Sequence, residues 1–362
     1  MYKLIMEIYL KKVFLWIVPI VSIFLSSCLM TVEDIGKMSS NEMIEFWTRG
    51  ARNACITVGI VKDGQMLFTV YGENGRVLPS REHTYEIGSI TKVFTGQLIA
   101  RAISEGRINL DDQIDSFLAL PSRAYYPTIR RLLTHTSGYQ GHYYEGHTST
   151  NFGLGENYMN YMTRKMMLNR IGTINLENRD YPFYYSNFGI SVAGLVLEEI
   201  YNQDFTSLVN SYLRNDLGLH KTRVGDGRGD LSHYWTHDKD NAYIPAGAQL
   251  SNIMDMLTFA QMQIEGTPSY VSLAQSIEAQ VDMGQDYFGD LVFHADAMGL
   301  GWMIDSHNNI IFHGGTMPNF CTFLGIDMAN GIAVVVLSNV RGNILSRINS
   351  QTIGSKILKE LR

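Results

Sequence analysis

Ser89-Ile90-Thr91-Lys92 is the single Ser-x-x-Lys in the chain. A serine hydroxyl is a poor nucleophile until a base takes its proton. On a helix, positions i and i+3 share a face, so the Lys92 amine can approach Ser89. It can act as a base only if desolvation or nearby positive charge depresses its pKa. A helix N-cap serine with a solvated lysine fits the same tetrad. Tyr185-Ser186-Asn187 precedes an apolar helical stretch. A phenol can relay a proton, and an asparagine amide both donates and accepts; a polar helix start capped by Asn187 is the plainer alternative. The competing Tyr158-Met159-Asn160 falls inside a helical stretch rather than at its mouth, which favours Tyr185. His313-Gly314-Gly315-Thr316 follows the apolar Ile310-Ile311-Phe312. Glycines in a strand admit another backbone or a ligand. Such a strand can offer a backbone N–H to a developing oxyanion, although a bulge with a structural histidine fits equally.

The elements that must position these residues are legible as patterns. Residues 54–71 read as a hairpin about Asp63-Gly64, and Phe320 to Leu337 reads as a second about Asn330-Gly331. The run Ala333 to Leu337 looks like a strand buried on both faces. Helical spacing covers 90–104, 188–201, 255–265 and the tail 345–361. Strands at both chain ends with helices between predict an α/β (α+β) fold. Its antiparallel sheet comes from 51–88 and 290–362, a helical part spans 89–289, and Ser89 sits at their junction.

The 362 residues are 45% apolar and 18% charged, which describes a globular protein with a substantial core. A net charge of −6 gives no electrostatic reason to expect nucleic acid. No His-Glu-x-x-His zinc pattern and no Gly-x-Ser-x-Gly elbow occurs. Lys3, Lys11 and Lys12 lead into an apolar run from Val13 to Leu25, too short for the roughly 20 residues of a spanning helix and suited to a secretory signal. Leu25-Ser26-Ser27-Cys28 resembles a bacterial lipobox. The expectation is a signal peptide over 1–27, lipidation of Cys28 and a tether over 28–50. Cys55 and Cys321 read as small buried hydrophobes, with their pairing left open.

Ser-x-x-Lys, then Tyr-x-Asn, then a basic residue-x-Gly strand resembles the serine β-lactamase and penicillin-binding protein superfamily. The likeness is closest to its class C branch, with its D-alanine carboxypeptidases, D-aminopeptidases and esterases. Leu132-Leu133-Thr134-His135-Thr136-Ser137-Gly138 is a longer match to that branch. Ile108 to Asp112, Pro245-Ala246-Gly247 through Ser251 to Asp255, and Gly299-Leu300-Gly301-Trp302 are also similar. The resemblance covers roughly residues 50–340.

The resemblance implies Ser89 as acylated nucleophile, Lys92 as its base or proton shuttle and Tyr185 as a partner in proton transfer. Asn187 would bind the substrate amide, and the N–H groups of Ser89 and Thr316, beside Gly315, would hold the oxyanion. His313 would stand where the family often has a carboxylate-anchoring lysine, and His135 would hold a loop. No cofactor or metal is implied. The substrate would be a small amide or ester, plausibly a D-alanyl peptide of the cell wall, with β-lactams as inhibitors. A non-turnover penicillin-binding protein and a weak class C β-lactamase are the alternatives. Two features depart from the family. A histidine at 313 titrates near neutrality where a lysine stays charged, and Tyr181-Pro182-Phe183 replaces the usual Pro-Gly turn.

Overall fold

The computed structural model describes residues 30–143, 162–284, 288–340 and 347–362. The leader, Cys28 and Tyr158-Met159-Asn160 lie outside the described residues. Asp63 and Gly64 both take positive φ, 53° and 72°, the turn that matches the twist of paired strands. They join β1 (Ile56–Lys62) to β2 (Gln65–Tyr71). The short β3 (Val77–Leu78) pairs with β2 at one sheet edge. The C-terminal hairpin is β11 (Cys321–Asp327) and β12 (Ile332–Ser338). Its turn is tied by Asp327, which accepts from the N–H groups of Ala329 and Asn330.

β12 pairs antiparallel with both β1 and β11, so the two chain ends share the middle of the sheet. Beyond β11 come β10 (Ile310–Thr316), β9 (Met303–Asp305), β8 (Ala297–Met298) and β7 (Ala279–Gln280), giving nine strands in all. The sheet therefore extends back to residue 279, short of the expected boundary at 290. The helical part also carries a small sheet of its own: β4 (Tyr85–Glu86), β6 (Gln249–Ser251) and β5 (Arg223–Val224).

Alternation along the central strands feeds two separate cores. Ala333, Val335 and Leu337 face the helical part, whereas Ile332, Val334 and Val336 face the opposite layer. Every residue of β11 and β12 is buried, as a strand covered on both faces requires.

The opposite layer corrects the expected tether. Residues 31–48 are not free chain. They form α1 (Val32–Lys37) and α2 (Ser40–Thr48), each opened by a reciprocal capping box, Thr31 with Asp34 and Ser39 with Glu42. Ile35, Met43, Ile44 and Trp47 are buried in the same core as the C-terminal helix. The acid three residues after each cap was a readable signal. The other layer centres on α3 (Thr91–Ser104), α4 (Asn187–Tyr201) and α5 (Ile253–Glu265), and α6 (Ser350–Leu361) ends the chain. α3 is buried almost all round, because Gly96 lets it approach the Leu300 backbone more closely than any Cβ would permit.

Ile44→Ala should lower unfolding stability by about 2–5 kcal/mol through the cavity it leaves, read as a shift in the urea midpoint. An unchanged midpoint would restore the view of this segment as a tether.

Candidate active site

Ser89 sits in a single 3₁₀ turn, Gly88–Ile90, that runs straight into α3. Gly88 has φ of 53°, and a Cβ placed on it would stand 2.8 Å from the Thr316 nitrogen. Only glycine meets both demands. From the other side, a Cβ on Gly315 would lie 2.0 Å from the Ile87 carbonyl oxygen. Thr322 on β11 completes the junction by donating its hydroxyl to that same carbonyl at 2.9 Å. Three backbone segments thus meet at van der Waals distance, and β10 lays the Thr316 amide against the turn that carries Ser89. The sequence reading of Gly315 as a place of close approach describes this contact.

Lys92 follows one turn later and is fully buried. Its Nζ lies 2.9 Å from Ser89 Oγ and 2.6 Å from the Ala246 carbonyl oxygen. Nζ also stands 4.8 Å from the centre of the Tyr185 ring. Burial drives the Lys92 pKa well below its ordinary value. A neutral amine in this position donates one N–H to Ala246 and offers its lone pair to the Ser89 hydroxyl. Ala246 is held in place because Thr95 donates to the Pro245 carbonyl at 2.7 Å and Gln249 N–H donates to Thr91 at 3.2 Å. That contact explains why the Pro245-Ala246-Gly247 stretch matters.

Tyr185 is half-buried, and its hydroxyl shares a hydrogen bond with Ser89. Burial pushes its pKa up, with the Ser89 contact opposing more weakly. The phenol therefore keeps its proton and can donate it. Ser186, not Asn187, caps α4, accepting from Gly189 N–H. The Tyr185 segment is fastened by His135, whose Nδ1 accepts from Ser186 N–H at 3.1 Å and whose carbonyl accepts from Tyr184 N–H at 2.9 Å. The His135 ring lies 4.6 Å from that of Tyr185. His135 is thus a loop-holding residue, as its motif implies.

Two expected residues are placed differently. Asn187 is buried at the start of α4, where its amide Nδ2 meets His142 Nε2 at 2.8 Å. It does not line the open cleft beside Ser89. His142, which sequence reading missed, is held neutral by burial, its pKa lowered to about 4. His313 is 1% exposed, and its Nδ1 is bonded to the Gly314 carbonyl at 2.7 Å, so Nδ1 carries the ring proton. Burial lowers its pKa to about 3. A histidine desolvated to this degree does not titrate near neutrality and presents no cation to a carboxylate.

Ser89, Tyr185, His313 and Thr316 line one cleft of about 420 Å³. Its further wall, which sequence reading missed, comes from Met283, Phe293, Met303, Phe312 and Gln351. Phe312 was adjacent to a marked residue, but nothing local to positions 283, 293 or 351 signals the site. Cys55 and Cys321 are buried and free; Cys55 Sγ lies 3.1 Å from Tyr85 Oη.

The described residues contain no group of three or more His, Cys, Asp or Glu side chains arranged to hold a metal ion. The family model described as Beta-lactamase matches residues 45–350. Protein flp of Staphylococcus aureus (strain MRSA252) is 25% identical over 325 residues, covering 82% of this chain and 62% of the relative. The chain thus spans under two thirds of that relative's length. Among solved structures, the octameric penicillin-binding protein homologue from Pyrococcus abyssi superposes with a TM-score of 0.67 at 20% identity, over 88% of this chain and 75% of that one. The beta-lactamase/D-alanine carboxypeptidase from Yersinia pestis gives 0.64 at 17% identity, over 89% and 99%. At these identities the structural likeness shows the fold.

With the depressed lysine as proton acceptor, labelling of Ser89 by a fluorophosphonate is expected to rise with pH through the Lys92 pKa and fall as the amine protonates. Lys92→Arg should cut the labelling rate by ~10²-fold or more, the usual worth of a positioned base. His313→Gln should leave the pH midpoint unmoved; a shifted midpoint would assign the acid limb to His313 instead.

Proposed function

This chain belongs to the beta-lactamase family, and from that premise we propose an exported, lipid-anchored serine hydrolase that works through an acyl-enzyme on Ser89. The observation that carries the chemistry is the buried Lys92 amine 2.9 Å from the Ser89 hydroxyl. Ser89 Oγ adds to the substrate carbonyl carbon as its proton passes to the Lys92 lone pair. The N–H groups of Ser89 and Thr316 hold the resulting oxyanion. Collapse breaks the bond to the leaving oxygen or nitrogen, which takes a proton from the Tyr185 hydroxyl, and Lys92 returns its proton to the phenolate. Water then repeats the addition at the acyl carbon, and the serine leaves with the proton it first gave up.

D-alanyl peptides and simple esters are the proposed substrates, with β-lactams as acylating inhibitors. Within that pair, the neutral, buried His313 favours esters and capped amides over peptides ending in a free carboxylate. An anion placed there gains no opposite charge in exchange for the water it loses. The lipid anchor rests on the Leu25-Ser26-Ser27-Cys28 tetrad and the short apolar run before it.

Ser89→Ala should abolish hydrolysis of p-nitrophenyl acetate and of a D-alanyl-D-alanine peptide while leaving the thermal transition in place. His313→Lys should raise the kcat/KM ratio of the free-carboxylate peptide over its C-terminal amide, by about tenfold for one new charge pair in a partly dry site. Full turnover by Ser89→Ala would end the acyl-enzyme mechanism; an unmoved ratio would show that position 313 does not read the carboxylate.

A further inference from the structure

We propose that the cleft is held at the bilayer surface and takes amphiphilic esters or amides whose apolar tail is membrane-borne. This rests on lipidation of Cys28 and on the serine chemistry above, and adds an orientation to them. The loss of the tether is its starting point. Met30 already packs against the core that contains Ile35 and Trp47, and Thr31 caps α1. Cys28 is two residues from Met30. At no more than 3.3–3.6 Å per residue, a lipid on that cysteine can enter the bilayer no farther than about 7 Å from the Met30 Cα. A tether running to residue 50 would have allowed about 75 Å and no defined orientation.

The surface pinned in this way is the outer side of the cleft wall. Val32 Cγ1 lies 3.6 Å from the place a Cβ would occupy on Gly289, and the corresponding point on Gly36 lies 3.8 Å from Leu291 Cδ2. Lys359 on α6 clamps the same strip, donating to the Asp290 carbonyl at 2.7 Å. Three residues after Asp290, Phe293 belongs both to the α1 core and to the cleft lining, so a single segment separates anchor from cleft. The cleft face of that segment continues in Met303 and Phe312, with Met283 39% exposed beside them. Thioethers and aromatic rings offer an adaptable apolar wall, suited to an alkyl chain rising from the membrane directly below.

The test uses the full-length lipidated protein in phosphatidylcholine vesicles, with p-nitrophenyl palmitate in the bilayer and p-nitrophenyl acetate in solution. A flexible twenty-residue Gly-Ser linker inserted between Leu29 and Met30 leaves α1 and its cap intact. The expected result is a roughly tenfold loss of palmitate turnover, with acetate turnover unchanged. A fluorophore on Met283→Cys, with Cys28 carrying the lipid and Cys55 and Cys321 buried, should transfer energy to a bilayer dye in the parent chain and far less in the linker variant. Equal palmitate rates, or equal transfer, would overturn the orientation. Intact mass showing no lipid on Cys28 would overturn the anchor and the proposal with it. Failure of the parent chain on acetate would remove the hydrolase chemistry beneath both.

Discussion

An amine taken entirely out of water beside a half-buried hydroxyl is the arrangement on which this molecule depends. In bulk solvent the Lys92 side chain would hold its proton and could accept none from Ser89. Burial works against that preference, and the surroundings add no charge that would restore it. The Ala246 carbonyl satisfies one amine hydrogen without adding a counter-charge, and His135, His142 and His313 are all held neutral by the same dryness. A carboxylate in their place would stabilise the ammonium and quench the base.

The architecture serves that dryness. The sheet divides the interior into two cores, and α3 runs through the larger one with almost no exposed face. A serine at the tip of such a helix can meet substrate only where the end of β10, the segment before α4 and the turn of Ala246 converge. The contacts that seat the Ser89 turn and α3 against β10 and Leu300 are backbone against backbone, at Gly88, Gly315 and Gly96, where side-chain volume is excluded. Catalytic geometry is thereby set by main-chain positions that cannot relax independently of the fold.

Much of this was legible in the residues. The paired hairpins, the buried strand at 332–338 and the helices behind Ser89 and Tyr185 follow from period and turn chemistry, and the structure keeps them within a few residues. Ser89 and Lys92 were legible because their contact is local, one helical turn. His313 was found from its motif and lines the cleft, whereas its desolvation is a property of everything packed around the ring and of nothing adjacent to it in sequence. Residues 31–48 were expected to be a tether only because they follow Cys28, and the two capping boxes and four buried apolar positions that make them helices went unused. Phe293 and Gln351 reach the site from distant segments, and no spacing rule could join them to it.

The pairing of β1 with β12 has a consequence for how the chain is made. Val58 lies opposite Val336, so the central ladder joins residues separated by most of the polypeptide. Neither core can seal until the last strands have been synthesised, and contacts of such long separation form slowly. A chain built this way stays open while it emerges from the ribosome, the condition under which a thread can still pass through a narrow channel before it collapses into shape.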